Sequence, residues 1–546
     1  MKGTEAIAKI LKQEGVNYFF CFPSNPVIDA AAAADIRPIM ARTERAAVAM
    51  ADGYTRVTNG CKIGVVGVQD GPGVESSFGG IAQAYSDSTP ILFLPGLEGM
   101  HRLYRQPTFS SISSFRDITK WAATITSIDR VPEMMRRAFT YLKMGRPGPV
   151  LLEVPWPLKD TEIDESLVQY APVKRARTAA DPDDVKAAVS ALLEARVPLI
   201  HASQGVLYAE ASDELREFAE LVQAPVMTTL PGKSGFPETH PLSVGTGGLS
   251  SAPGVTHFLR KADLIFGIGA SLTNVAFAAP LPEGRKIVQC TVDERDVNKD
   301  YAVAQVLIGD AKLVLQQCIA EAKRQLGSPN RQANDALIRE IQGVKDEWWA
   351  NWGTKLTSDE VPLAPYRVIW EMMNTLEAKD VIITHDSGTP RDMLAPCWKS
   401  VSPRGYIGWG KSTHLGYGLG LALGAKLAAP EKFVINFMGD GAFGMTGMDV
   451  ETGVRNKIPI LTIVLNNACL GNYERYQPIA NQRYRMRYFE GDYRSVAQGL
   501  GAYSERVEKP EEIAPALRRA QQMTADGKSV LLEIITREET MLLPRY

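Results

Sequence analysis

The chain has 546 residues, 45% hydrophobic and 22% charged, with a formal net charge of −2. At roughly 150 residues per domain, that length corresponds to about three domains, each able to bury its own core. The near-neutral charge gives no argument for a nucleic-acid or anionic-membrane binder, and no apolar run approaches the ~18 residues of a membrane span.

Residues 1–16, MKGTEAIAKILKQEGV, have the pattern of an amphipathic helix, with charges too frequent for a signal-peptide core. In the first third, helix signals at 4–14, 44–59, 79–87 and 131–143 alternate with strand signals at 16–21, 62–68, 91–95 and 150–154. A polar stretch, 159–182, reads as a linker. The middle third repeats the alternation, with helices at 182–195, 210–222 and 310–326 and strands at 197–201, 225–229, 262–267 and 286–291. A polar segment, 327–334, precedes a long helix, 336–352, that bridges to a new α/β pattern beginning near Pro365. Such alternation predicts an α/β protein of three doubly wound parallel-sheet domains, over residues 1–165, 180–330 and 358–546. The six cysteines show no CxxC and no regular spacing, so disulfides and zinc are not expected, and a cytoplasmic location is. The basic run 483–487 (RYRMR) reads as a surface or pocket feature.

Gly439-Asp440-Gly441 ends the apolar run 433–438, and Asn466-Asn467 ends another at 460–465, with 24 residues, 442–465, between the two motifs. Each motif sits where a buried parallel strand would end, which in an open α/β sheet is the ligand crevice. A carboxylate and an amide oxygen there are hard ligands suited to Mg²⁺ or Ca²⁺. Small residues beside them let backbone N–H groups approach phosphate oxygens. The pattern predicts a metal-bridged diphosphate site, although Asp440 alone would equally suit a turn or a helix N-cap.

This pair of motifs resembles the cofactor signature of thiamine diphosphate (ThDP) enzymes. The three similar-sized blocks resemble the pyrimidine, central and diphosphate domains of the acetolactate-synthase-like group. The likeness runs through nearly the whole chain, including LPGKSGFPETHPLSVG at 230–245 and VDERDVNKD at 292–300. It implies a ThDP- and Mg²⁺-dependent 2-oxoacid decarboxylase or carboligase that cleaves or forms a C–C bond next to a carbonyl.

The resemblance also assigns roles. Glu44, in Arg42-Thr43-Glu44-Arg45-Ala46-Ala47 after the apolar segment 36–40 and before Ala51-Asp52-Gly53-Tyr54, matches the acid that hydrogen-bonds N1′ of the cofactor's pyrimidine and promotes its imine form. Read alone, it is also a residue favoured by a helix dipole. A Glu here sets the chain apart from glyoxylate carboligase, which has an apolar residue at this position. The metal ligands carried over are Asp440, the Asn467 side-chain oxygen and the backbone carbonyl of Cys469. Gly439, Gly441, Ala442 and Phe443 fall on the diphosphate cradle, where the next helix offers free N–H groups. Asp386-Ser387-Gly388-Thr389 resembles the second diphosphate loop, with Ser387 or Thr389 as hydroxyl donor, and also an ordinary strand-end turn. In Thr413-His414-Leu415-Gly416, Leu415 falls on the apolar support beneath the bent cofactor and the Thr413 carbonyl on the acceptor for its 4′-amino group. Leu415 as a plain core residue is the alternative.

Departures from acetolactate synthase imply a more polar pocket. Asn472 and Tyr473 follow the Asn-Asn motif where that enzyme is mostly apolar, and Tyr476 stands at its Trp position. Asn25 lies in a Cys-Phe-Pro-Ser-Asn-Pro phrase where a Gly-rich turn is usual. Arg102 and Arg105 precede Gln106, itself offset by one residue from the family's catalytic Gln. Asn25, Arg102, Arg105, Asn472 and Tyr473 are thus substrate-side candidates and Gln106 a catalytic one. The two arginines equally suit a solvated loop or ion pairs across a dimer. Ser203-Gln204-Gly205 and the loop at 245–249 match the family's flavin loops only in part, so FAD is not expected. A small 2-oxo acid or an acyl-CoA is the expected partner. A homodimer or homotetramer is expected because the family's Glu reaches a neighbour's cofactor. The competing functions are a 2-hydroxyacyl-CoA lyase or oxalyl-CoA decarboxylase of the same architecture, and a ThDP-binding regulator without turnover. The retained Glu44, Asp440 and Asn467 oppose the latter. NAD binding is disfavoured because no GxGxxG opens a strand–helix unit.

Overall fold

Apolar strand runs between amphipathic helices build three six-stranded sheets, all of whose ladders are parallel. The computed structural model describes residues 1–103, 105, 107–327, 331, 333–540 and 542, the side chain of Arg102 excepted. The first sheet comprises β1 (Tyr18–Cys21), β2 (Arg37–Met40), β3 (Gly64–Val68), β4 (Ile91–Leu97), β5 (Trp121–Thr124) and β6 (Val150–Pro155), in the order β2-β1-β3-β4-β6-β5. The second comprises β7 (Pro198–Ala202), β8 (Val226–Thr229), β9 (Ser243–Gly247), β10 (Leu264–Ile268), β11 (Lys286–Thr291) and β12 (Gln305–Ile308), in the order β12-β11-β10-β7-β8-β9. The third comprises β13 (Val381–His385), β14 (Tyr406–Ile407), β15 (Phe433–Gly439), β16 (Leu461–Asn466), β17 (Tyr503–Val507) and β18 (Val530–Ile535), in the order β14-β13-β15-β16-β18-β17.

The third order reverses direction at β13. The chain moves outward to β14, then crosses back to place β15 on the other side of β13. Such a switch point opens a crevice beyond the carboxyl ends of the two strands. Asp386-Ser387-Gly388 leaves β13 there, and Asp440-Gly441 leaves β15.

Two helices differ from the sequence reading. The helix expected at 79–87 begins earlier, as Pro72–Ser86, because Gly71 at φ 60° caps it and Pro72 occupies the first turn. The helix expected at 210–222 begins at Ser212 and runs to Val222, and a separate short helix, Gln204–Tyr208, precedes it, with Glu210 at φ 55° between the two. The bridging helix runs Asp335–Leu356, and its Trp348 and Trp352 pack with Tyr366 of the last block.

A buried ionic cluster joins the three blocks. Arg56 pairs with Asp52 and Asp87, and its Nη1 donates to the Gly408 carbonyl at 3.0 Å. The Tyr417 hydroxyl donates to Asp52 at 2.9 Å, and Gln204 Nε2 donates to the Asp87 carbonyl at 2.7 Å. All six cysteines are free, five of them buried. Among the described residues no helix is long and apolar enough to cross a membrane.

Candidate active site

A cleft of about 270 Å³ opens at the switch point of the third sheet. Its walls are the residues that follow β13, β15, β16 and β18, the 413–415 segment and Phe277 of the central block. Ser387, Gly388 and Thr389 come from the β13 turn, Gly439, Asp440, Gly441 and Ala442 from the β15 turn, and Asn467, Cys469, Gly471 and Tyr473 from the β16 turn.

Asp440 opens the helix Asp440–Thr446, where unpaired N–H groups and the helix dipole favour an anion. Its Oδ1 accepts the Gly441 N–H at 2.8 Å, whereas its buried Oδ2 has no partner. Burial pushes its carboxyl up to about 6 against the pull of those backbone N–H groups. Of the paired asparagines, Asn466 turns into the sheet, its Nδ2 donating to Glu533 at 2.8 Å. Asn467 lines the cleft, its Oδ1 accepting the Cys469 N–H at 3.2 Å. Burial pushes the Cys469 thiol up to about 11.

Across the cleft, Gly388 caps the helix Thr389–Cys397 at φ 83°, a conformation that favours glycine, and nothing lies within 4 Å of where its Cβ would be. The neighbouring Ser387 Oγ is buried and has no partner. Asp386 spends its oxygens on structure, accepting N–H groups from Ser387 at 2.7 Å, Gly416 at 2.9 Å and Gly418 at 2.8 Å. Burial raises it to about 6 despite these bonds. It thereby ties the 413–418 segment to the end of β13, and Thr413 and Leu415 reach the cleft wall. Leu415 is half-buried, with one side against the core shared by the first and last blocks.

These features fit a diphosphate with a divalent cation. An unpaired carboxylate oxygen suits the cation, and an unpaired hydroxyl, an open glycine turn and two helix N-termini suit phosphate oxygens. Among the described residues no group of three or more His, Cys, Asp or Glu could cage a metal. A cation here would therefore lean on Asp440, Asn467, the Cys469 carbonyl and its own anionic ligand.

Other sequence candidates lie elsewhere. Glu44 starts the helix Glu44–Val57 behind its Thr43 cap, is half-buried and does not line this chain's cleft. Burial raises its carboxyl above the usual range. Phe443 packs edge-on against Tyr493 at 5.3 Å and turns away from the cleft. The Asn25 amide is used within the first block, donating to the Val68 and Leu94 carbonyls of β3 and β4 and accepting the Val27 N–H of its own loop. Asn472, at φ 66°, points its Nδ2 at the Glu539 carbonyl 3.2 Å away, outside the cleft lining, whereas Tyr473 lines the cleft. Arg105 is exposed and does not contribute to the cleft. Gln106 and the Arg102 side chain lie outside the described residues. In the central block, Ser203 and Gly205 line a crevice at the ends of β7 and β10 that also receives Lys411.

Among the residues of the cleft that carried no signal in the local sequence are Arg391, Phe277 and Glu539. The strand-end rule alone could have pointed to Glu539, which follows β18.

The sequence matches the thiamine pyrophosphate enzyme family in three stretches: its N-terminal TPP binding domain at 1–114, its central domain at 185–318 and its C-terminal TPP binding domain at 386–534. A Methanocaldococcus jannaschii protein named "Probable acetolactate synthase large subunit" is 31% identical, the match covering 98% of this chain and 92% of that protein. The glyoxylate carboligase of Escherichia coli O157:H7 is 30% identical, over 99% of this chain and 94% of that protein. The acetolactate synthase large subunit of Haemophilus influenzae is 28% identical, over 100% and 96%. With its three parallel-sheet blocks in the same order as those three domains, the chain belongs to the thiamine pyrophosphate enzyme family and is an acetolactate synthase-like, ThDP-dependent enzyme.

Proposed function

We propose that the chain is a ThDP- and Mg²⁺-dependent 2-oxoacid decarboxylase or carboligase, acting beside the carbonyl of a small 2-oxo acid. The observation that carries this reading is the pair of unpartnered buried atoms, Asp440 Oδ2 and Ser387 Oγ, on residues that line one cleft. Bound there, ThDP supplies an electron sink next to the reacting carbonyl. Asp440, Asn467 Oδ1 and the Cys469 carbonyl would hold Mg²⁺. The Ser387 hydroxyl and the N–H groups of the two helix starts would take the phosphate oxygens. Leu415 would support the rings from below, and the Thr413 carbonyl would accept from the amino group. The pyrimidine, central and diphosphate roles then fall to residues 1–165, 180–330 and 358–546.

Glu44 does not line the cleft of its own chain, which supports a site completed by a second copy. We infer an obligate dimer, with dimers pairing into a tetramer. In that arrangement Glu44, its carboxyl raised by burial, would hold a proton for the pyrimidine of the neighbour's cofactor. The names of the acetolactate synthase and glyoxylate carboligase relatives favour a 2-oxo acid over an acyl-CoA. Six free cysteines are in keeping with a reducing cytoplasm.

Mass spectrometry of ligands retained by the purified protein, followed by a panel of 2-oxo acids and acyl-CoAs, tests the reading. Turnover of a 2-oxo acid that needs both added ThDP and Mg²⁺ supports it. Failure to bind ThDP in the presence of Mg²⁺ by calorimetry overturns it.

A further inference from the structure

We propose that Arg391 is the anion anchor of the cleft, its guanidinium taking an oxygen of a phosphate or carboxylate bound there. The inference rests on reading this cleft as the cofactor and substrate site. Among the described residues that line the cleft, Arg391 is the one cationic side chain. It lies in the first turn of Thr389–Cys397, three residues after Gly388. It is only 3% exposed, so little of its charge is met by water.

The protein uses part of this guanidinium and leaves the rest. Nε donates to Asp392 Oδ1 at 2.8 Å. The guanidinium carbon lies 4.8 Å from the centroid of the Phe277 ring, a cation–π distance that holds its plane. Nη1 is buried and has no hydrogen-bond partner. A buried cationic donor left unmet is costly, and such groups are retained where a ligand satisfies them. The nearest acid on the β13 turn, Asp386, is committed to three backbone N–H groups and does not fill the gap. Glu539, also on the cleft wall, is held by Lys355 at 3.0 Å and Arg537 at 3.3 Å.

The unmet atoms of the cleft have complementary signs. Arg391 Nη1 and Ser387 Oγ are donors in want of an anion's oxygens, and Asp440 Oδ2 is an acceptor in want of a cation. An oxyanion bound together with a divalent cation satisfies all three. Arginine suits the task because its planar, permanently charged fork can bond one group on one edge and a second on another. Phe277 comes from the central block and is therefore a positioning residue, setting the guanidinium plane from a different domain.

The anion has two sources, the cofactor's diphosphate and the carboxylate of a 2-oxo acid, and two constants separate them. Arg391→Met and Arg391→Lys are compared with the wild-type full-length protein. Calorimetry gives Kd for Mg²⁺–pyrophosphate and Mg²⁺–ThDP, and steady-state kinetics at saturating ThDP give KM for the 2-oxo acid. If the anchor holds phosphate, Arg391→Met weakens both Kd values about 10- to 100-fold, the factor one charge-assisted hydrogen bond supplies, with KM unchanged. If it holds the carboxylate, KM rises by that factor and both Kd values stay. In either case Arg391→Lys recovers part of the loss, and Phe277→Leu reproduces a smaller loss in the same constant. Should Arg391→Met fail to fold, Arg391→Lys decides by the same constants. Wild-type values of Kd and KM in the folded variants overturn the anchor and leave the ThDP reading standing. A wild-type protein that binds pyrophosphate through Arg391 but not ThDP overturns the ThDP reading and leaves the anchor standing.

Discussion

Gly53 of the helix Glu44–Val57 lies so close to Leu421 of the helix Tyr417–Ala428 that a Cβ on Gly53 would stand 2.0 Å from the Leu421 carbonyl oxygen. The approach is mutual: a Cβ on Gly424 would stand 1.9 Å from the Met50 carbonyl oxygen, and one on Gly420 2.9 Å from that of Ala46. The first and last blocks therefore meet backbone to backbone, with no room for a methyl group. Gly53→Ala and Gly424→Ala should each destabilise the fold by ~1–3 kcal/mol or more, since the opposing atoms are backbone and cannot swing aside. Gly343→Ala, in the bridging helix with nothing within 4 Å, should instead stabilise by ~0.5–1 kcal/mol through helix propensity. Denaturant unfolding of the three variants checks the opposite signs, and equal effects at Gly53 and Gly343 would refute the packing argument.

Glu44 stands at the start of the helix that makes this contact, so the packing that joins the two blocks also fixes where the carboxyl points. Burial raises its carboxyl above the usual range against the pull of its own backbone N–H, as suits a proton carrier. Glu44→Gln should bind ThDP and Mg²⁺ normally while turnover falls ~100- to 10,000-fold, the range of a general acid–base group. Near-wild-type turnover in that variant would remove Glu44 from the mechanism. Active heterodimers formed from Glu44→Gln and Asp440→Ala chains would point to a site shared between copies.

The fold was legible where strands are buried on both faces. Runs such as Phe433–Gly439 and Leu461–Asn466, interrupted only by Asn436 and Thr462, carry the near-continuous apolar pattern of a central parallel strand, and the cofactor motifs end them. Edge strands were harder to see. Gln305–Ile308 is half-exposed, Tyr406–Ile407 is two residues long, and Ser243–Gly247 contains two glycines, so none has a period to read. The candidate site divides in the same way. Asp440 and Asn467 announce themselves by small neighbours at strand ends, and both line the cleft. Asn25 and Asn472 carry the right chemistry but use their amides on backbone carbonyls distant in sequence, those of Val68, Leu94 and Glu539, a pairing set by the tertiary fold that composition does not encode. Arg391 was silent because nothing in Thr389-Pro390-Arg391-Asp392 separates a buried cation from a surface one. Its partner Phe277 arrives from another domain, far away in sequence.

His201, on β7, lines a pocket of the central block together with Phe277 and Lys411, is 5% exposed, and its Nδ1 has no partner. Burial lowers it from 6.5 to about 4. Between those values the unfolded chain holds a proton that the folded chain refuses, so stability rises with pH through this window and falls as the medium is acidified from 6.5 toward 4. Relative to His201→Gln, which does not titrate, the wild type should lose ~1.4 kcal/mol per pH unit below about 6.5, or ~2 kcal/mol by about pH 5, and show no pH-dependent difference above about 7.5. Parallel stability–pH profiles for the two proteins would show that His201 gains a proton without unfolding.

Asp440 combines a structural cost with a functional purpose. Its Oδ2 is buried without a partner, and a carboxylate in that position destabilises the empty protein until a cation neutralises it. Asp440→Asn keeps the shape, supplies an amide and removes the charge. The unliganded variant should therefore be as stable as the wild type or more stable, by up to ~1–3 kcal/mol. The same change takes away the anionic ligand that bridges a divalent cation to a diphosphate. Saturating Mg²⁺–ThDP should raise the Tm of the wild type by mass action, an effect worth ~2.7 kcal/mol at a hundredfold excess over Kd, and should leave that of Asp440→Asn nearly unmoved. Thermal unfolding with and without Mg²⁺–ThDP, and with EDTA as control, measures both terms in one experiment. A variant that is less stable when empty, yet keeps the full EDTA-sensitive shift, would place the cation away from Asp440.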